Sequence, residues 1–318
     1  MLKPYRPLRY NIYADCGQSP YPQTKSKEVK LLKGKLKRIS AFLLTLSIAL
    51  SAMAIGASAT DRTISFPAGS SPVNIYYKGE QAFVGRSALI DSVTYVAVRD
   101  FAELVGDCNV SWDAKTRTAV LTKGTKVVTA TDKDLYVYSE GRCFYTVKPI
   151  RIISDTMFVP VRAIARALGV DVGWDNSTRS VTLKNTGVLP VSGDKFYNAD
   201  DLYWLSRIIS AEAKGESLLG QIAVGNVVLN RKASRSYPNT VYGVIFDRKN
   251  GTQFSPVAFG TIYQKPTASA IIAAKICLEG YTLSEDILFF MNPRIATNNW
   301  ISKNRTFEFR IGNHDFYS

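Results

Sequence analysis

The stretch Asp201-Leu-Tyr-Trp-Leu-Ser-Arg-Ile-Ile-Ser-Ala-Glu-Ala-Lys214 decides how the C-terminal half of this chain folds. At about 100° per residue, Leu205, Ile208 and Ile209 fall on one face of a helix. Ser206, Arg207, Ser210 and Lys214 fall on the opposite one. Glu212 lies in the middle of the apolar face, between the small residues Ala211 and Ala213. A buried carboxylate without a partner is costly. The last turn of a helix also disfavours negative charge. Both effects raise a carboxyl pKa. An acid that stays protonated near neutral pH can donate a proton to a leaving oxygen.

Working outward, Asn198 is placed to cap the start of this helix, and Gly215 breaks its end. Ser217 can cap a second helix over 218–233, whose apolar stripe also carries Asn226 and Asn230. Polar groups on a buried stripe need partners, so a structural network is expected for both asparagines. Glu216, just past the break, is expected to support the site by capping the second helix or answering Arg231. Further on, Ala268 to Leu278 reads as a strongly apolar helix ending at Gly280, and Ile287 to Met291 as a strand. Phe307, Phe309 and Ile311 alternate with charged residues in a last strand. Residues 198–318 therefore read as a mostly helical α+β domain with a small antiparallel sheet.

The half before it contains an internal repeat. Tyr95-Val-Ala-Val-Arg99, Leu104-Val-Gly106, Val110-Ser-Trp112-Asp113 and Thr116-Arg117 recur in order. The second copy runs Phe158-Val-Pro-Val-Arg162, Ala167-Leu-Gly169, Val172-Gly-Trp174-Asp175 and Thr178-Arg179. Each copy predicts a strand, a helix of two turns and a hairpin. Two such units pack together into a second, smaller α+β domain over 60–186. Trp112 and Trp174 are expected to be core residues that anchor the hairpins. Gly187, Pro190, Ser192 and Gly193 mark 187–197 as a linker.

The chain of 318 residues carries a formal net charge of +14. Residues 1–59 hold ten of the 40 Lys and Arg but only two of the 26 Asp and Glu, leaving 30 against 24 for the rest. A mildly basic remainder suits an anionic surface such as a cell wall and does not require nucleic acid. Lys33, Lys35, Lys37 and Arg38 precede an uncharged run from Ile39 to Ile55, and Ala57-Ser-Ala59 follows. This is the anatomy of a secretory signal peptide, with an uncleaved membrane anchor as the alternative. Either one puts residues 60–318 outside the cytoplasm. Cys16 lies in the leader. Of the remaining Cys108, Cys143 and Cys277, the first two share a domain and could pair. With His314 the one histidine, a zinc site of His and Cys ligands has too few ligands, and no metal or cofactor is expected.

Two resemblances join these readings. The doubled F/Y-V-x-V-R, G and W-D pattern over about 75–185 resembles the copper amine oxidase N-terminal-like domain. That resemblance implies a stalk or wall-binding spacer, and the sequence offers no copper ligands. Residues 200–318 resemble the SleB-type cell wall hydrolases, the spore cortex-lytic enzymes. The matching segments are Glu212-Ala-Lys-Gly-Glu216, Gly220-Gln221, Leu229-Asn230-Arg231, Tyr237-Pro-Asn-Thr240, Gln253-Phe-Ser255, Asn292-Pro293 and Ile311-Gly-Asn-His314-Asp-Phe-Tyr317. Lys214 stands where the family more usually has Arg.

This resemblance implies a lysozyme-like fold with Glu212 as catalytic acid/base, supported by Glu216, Asn230 and Arg231. Gln253, Ser255, Asn292, His314 and Tyr317 are candidates to line a groove for peptidoglycan glycan strands. A retaining hydrolase needs two carboxylates about 5–5.5 Å apart, and an inverting one about 6.5–9.5 Å. Asp247, Glu279 and Asp286 read as ordinary loop or surface acids, which leaves one convincing carboxylate. One suffices for a lytic transglycosylase cleaving between N-acetylmuramic acid and N-acetylglucosamine. An N-acetylmuramoyl-L-alanine amidase and an inactive wall-binding protein are the alternatives. A secreted monomer is expected.

Overall fold

The structure, a computed structural model, describes residues 63–249, 251 and 253–318. The signal peptide or anchor expected within 1–59 lies outside the described residues. Among those described, no helix is long and apolar enough to cross a membrane.

The first half is built from strands and two short helices. β1 (Asn74–Tyr77), β2 (Glu80–Ala82), β3 (Ser87–Ile90) and β4 (Val93–Ala97) lead into α1 (Val98–Val105). The meander β5 (Cys108–Asp113), β6 (Thr118–Lys123), β7 (Lys126–Thr131), β8 (Tyr136–Ser139) and β9 (Arg142–Tyr145) follows. β10 (Arg151–Ile153) and β11 (Thr156–Pro160) precede α2 (Val161–Ala167), then β12 (Val170–Asp175) and β13 (Ser180–Asn185). Strand, helix and hairpin thus occur twice in the same order.

The equivalent strands β4 and β11 pair antiparallel. Val96 faces Val159, its own counterpart 63 residues on, while Tyr95 faces Pro160 and Ala97 faces Phe158. This reciprocal pairing is what a local twofold axis between two copies produces. Phe101, Val96, Val159 and Ile164 lie in one shared core. Gly169 closes α2 with φ +70, a conformation that suits glycine.

The expected hairpin anchors depart from this core. Trp112 and Trp174 are 46% and 45% exposed. Their strands are edge strands, β5 beside β6 alone and β12 beside β13 alone. The smaller Val110 and Val172, two residues earlier on the same face, are the ones that pack against the core, and each tryptophan lies beyond them toward the hairpin turn. The cysteines also differ from expectation. Cys108, Cys143 and Cys277 are all free. Cys108 packs against the repeat core, whereas Cys143 on β9 belongs to the hydrophobic cluster of the C-terminal half.

The second half begins with a short α3 (Gly193–Phe196). It continues with α4 (Ala199–Ala213), α5 (Leu218–Ala233), α6 (Val241–Ile245), α7 (Ser255–Ala258), a 3₁₀ turn at Thr261–Tyr263 and α8 (Ala268–Leu278). β14 (Phe289–Met291), α9 (Trp300–Asn304), β15 (Phe307–Ile311) and β16 (His314–Tyr317) complete it. β16 is the central strand of a three-stranded antiparallel sheet, with β14 and β15 on its flanks.

α4 is the central helix, packed against α5, α6, α7 and α8. Part of its supposed polar face is buried as well, since Ser206 and Ser210 are both shielded from solvent while Lys214 is exposed. Ser206 Oγ donates to the carbonyl of Tyr203 at 3.1 Å, and Ser210 Oγ accepts from the backbone N–H of Thr267 at 3.1 Å. Two small hydroxyls satisfied within the fold can be buried like alanine, and polarity alone hides this in the sequence.

The segment 187–197 does not hang loose. Gly193 N–H donates to the carbonyl of Glu140 at 2.8 Å, and the two backbones approach so closely that a Cβ on Gly193 would meet Gly141. Tyr197 OH donates to Glu279 at 2.7 Å. Glu279 is no surface acid. Its side chain is 1% exposed and accepts two 2.7 Å hydrogen bonds from Arg142 of β9. Arg166 of α2 adds a bond to the Glu279 carbonyl at 3.1 Å. Tyr145 meets Tyr281 with ring centroids 4.4 Å apart. The described residues accordingly form one compact unit.

Candidate active site

Glu212 is the penultimate residue of α4, in a last turn that carries no basic side chain. It is half-buried, hemmed in by protein yet reachable from solvent. No hydrogen bond or ion pair reaches its carboxyl from any described residue. Burial alone pushes this acid up to about 7. Near neutral pH this carboxyl is therefore partly protonated. No other carboxylate contributes to its shift.

Glu216 sits four residues on, past the break at Gly215. Its carboxylate accepts from the backbone N–H of Asn313 at 3.2 Å and from Asn313 Nδ2 at 2.8 Å. This braces the turn between α4 and α5 against the turn between β15 and β16. Gly312 is required there. Its φ is +57, and a Cβ would overlap the Glu216 carboxylate. The two expected roles of Glu216 fall to others. Ser217 caps α5 by accepting from Gly220 N–H at 3.3 Å. Arg231 instead donates to the carbonyl of Leu288 at 2.7 Å and to Gln253 Oε1 at 3.1 Å.

His314 opens β16 beside this brace. Along a strand, side chains alternate between faces. Phe316, fully buried in the helical core, shares the His314 face. The imidazole meets Phe290 edge-on at 5.3 Å, and its Nδ1 is buried without a partner. Burial lowers its pKa, against a smaller opposing pull from Glu216 and Asp315. Tyr317 lies on the other face, packed edge-on to Phe307 at 5.8 Å, so it cannot share one groove wall with His314. Asp315, also on that face, is paired with Arg310, which holds its carboxyl below the usual range.

The remaining predicted residues divide between scaffold and surface. Asn230 Nδ2 donates to the carbonyls of Ser284 and Ile287, both at 2.9 Å. Asn226 holds the same loop through Tyr281 and Leu283. Arg231 lies among the rings of Tyr237, Phe254 and Phe289 and is a buried structural cation. Ser255 is exposed at the start of α7, and Asn292 is half-buried in the turn after β14, accepting from Arg294 N–H at 3.0 Å.

Gln221 was not among the expected site residues. It is 2% exposed, donates to the carbonyl of Glu216 at 3.0 Å, and leaves its Oε1 buried without a partner. The signal was its place on α5, one turn past the Ser217 cap. Among the described residues, no group of three His, Cys, Asp or Glu side chains is placed to share a cation.

Residues 215–317 match the Cell Wall Hydrolase family, and residues 76–183 match the Copper amine oxidase N-terminal domain. The C-terminal half is a cell wall hydrolase domain, and the repeats form a copper amine oxidase N-terminal-type domain. The hydrolase match begins three residues after Glu212, so the role of that acid rests on its geometry and its motif.

Among characterised proteins, the spore cortex-lytic enzyme of Bacillus cereus (strain ATCC 14579) is 38% identical over 120 residues. That stretch is 38% of this chain and 45% of the relative. The spore cortex-lytic enzyme of Bacillus subtilis (strain 168) is 36% identical over 141 residues, 44% of this chain and 45% of the relative. The chain thus spans a little under half the length of these relatives. Among solved structures, the catalytic domain of a germination-specific lytic transglycosylase, SleB from Bacillus anthracis, is 37% identical with a TM-score of 0.35. It covers 38% of this chain and 97% of that domain.

Proposed function

We propose that this protein is an exported peptidoglycan-cleaving enzyme of the spore cortex-lytic kind, acting as a lytic transglycosylase through Glu212. The observation that carries the reading is a reachable carboxyl, pushed up to about 7 by burial, with no second carboxylate acting on it. The names of the relatives support the substrate class, and the uncharged run before Ala57-Ser-Ala59 supports export.

In the first step the Glu212 carboxyl gives its proton to the oxygen that leaves C1 of the muramoyl sugar, and the C1–O bond breaks. The resulting carboxylate then takes the proton of the C6 hydroxyl. That oxygen bonds to C1, closing a 1,6-anhydro ring and restoring the acid. One group serves both steps because each returns it to the form the next requires. Glu216, Asn313 and Gln221 act by positioning the turn that carries Glu212. His314, Asn292 and Ser255 are the candidates to contact the glycan strand.

The test is Glu212→Gln on purified peptidoglycan. Loss of soluble muropeptides with an unchanged circular dichroism spectrum is expected. Undiminished release would overturn the assignment. Turnover that disappears in a strong chelator would instead indicate the metal-dependent amidase reaction.

A further inference from the structure

The two exposed tryptophans of the repeats, Trp112 and Trp174, are unexplained by the repeat core, and Trp112 borders a cleft. Trp112 on β5, Arg117 in the β5–β6 turn and Arg99 on α1 line it, with Ser111 beside Trp112 and Met157 of β11 at the base. Arg86 completes the basic lining, and Asp155 is its one acid. The cleft encloses about 500 Å³, within the range of small-molecule and sugar sites.

The guanidinium groups are arranged for use. Arg86 is held through Nε by Asp100, and Arg117 through Nε and Nη2 by Asp132. Neither aspartate lines the cleft, so both arginines are oriented while keeping free donors. Arg99 is exposed and makes no hydrogen bond or ion pair with any described residue. Trp112 is 46% exposed, which leaves an aromatic surface at the cleft open to a ligand.

We infer that this cleft is a binding site for an anionic glycan, specifically a peptidoglycan strand. A sugar ring would stack on Trp112, and a carboxylate of the stem peptide would be taken by Arg99 between Arg86 and Arg117. The flat indole face suits the C–H face of a pyranose. The planar fork of arginine suits a carboxylate. The choice of glycan rests on the hydrolase reading of the attached domain. Within one compact unit, a strand held at the cleft raises the local concentration of bonds for cleavage.

The experiment uses the full chain carrying Glu212→Gln, pelleted with purified sacculi. Vegetative peptidoglycan and spore cortex are each stripped of teichoic acid, and a third arm uses wall that retains it. Trp112→Ala and Arg99→Ala are each expected to weaken binding to both stripped preparations by about tenfold or more. Trp112→Phe is expected to keep most of it. Both side chains are exposed, and unchanged melting temperatures confirm folding. Unaltered retention of the alanine variants on stripped wall would overturn the site. A loss confined to teichoic acid-bearing wall would assign the cleft to a phosphate polymer and overturn the glycan assignment. Failure of the hydrolase reading would appear elsewhere, as muropeptide release by the Glu212→Gln protein.

Discussion

Taking the Glu212 carboxyl out of water without giving it a donor costs stability in proportion to its charge. The native state holds this proton more tightly than the unfolded chain, with a pKa of about 7 against 4.5. Native stability therefore falls as pH rises from 4.5 through 7, and the full cost applies above that window. At 1.36 kcal/mol per unit the cost is about 3 kcal/mol. Glu212→Gln, uncharged and of the same shape, should raise the melting temperature at pH 8 and leave it nearly unchanged at pH 4. The enzyme's own rate should fall above pH 7 by about tenfold per unit, as the protonated form is depleted. A pH profile of kcat/KM checks this, and a rate still rising at pH 9 would contradict it.

At the scale of elements, the site is a helix end fixed by a strand turn. The start of α4 was legible because its cap is local. Asn198 accepts from Asp201 N–H at 3.0 Å, three residues away. The brace on Glu216 was not, because Asn313 lies 97 residues along the chain. Neither was the burial of Ser206 and Ser210, since binary polarity cannot distinguish a hydroxyl facing water from one bonded within the fold. Gly312→Ala tests the brace. The added methyl meets the Glu216 carboxylate in a backbone conformation that alanine resists, so a loss of more than about 1 kcal/mol is expected. Activity should fall more than stability explains, because the turn carrying Glu212 loses its anchor. Equal activity at a temperature where the variant is fully folded would contradict this.

At the scale of the molecule, the repeat domain and the hydrolase domain are joined by a buried acid. Glu279 holds Arg142, Arg166 and Tyr197 across sequence separations of 137, 113 and 82 residues. In the sequence it is one glutamate after an apolar helix, with nothing local to mark its partners. The same distance hid the membership of Cys143 in the hydrolase core. Glu279→Ala leaves Arg142 and Tyr197 buried and unanswered, a loss of about 3–5 kcal/mol. Calorimetry should show one unfolding transition for the parent protein and two for the variant. An unchanged single transition would mean that the interface does not couple the domains.

The most direct test of the central claim is the chemistry of the product. The parent enzyme is incubated with purified cortex and vegetative peptidoglycan, and the released muropeptides are weighed by mass spectrometry. One acid used twice predicts 1,6-anhydro ends, lighter by one water than hydrolysed ends, with none released by Glu212→Gln. Ordinary reducing ends, or anhydro ends that persist in the variant, would contradict it.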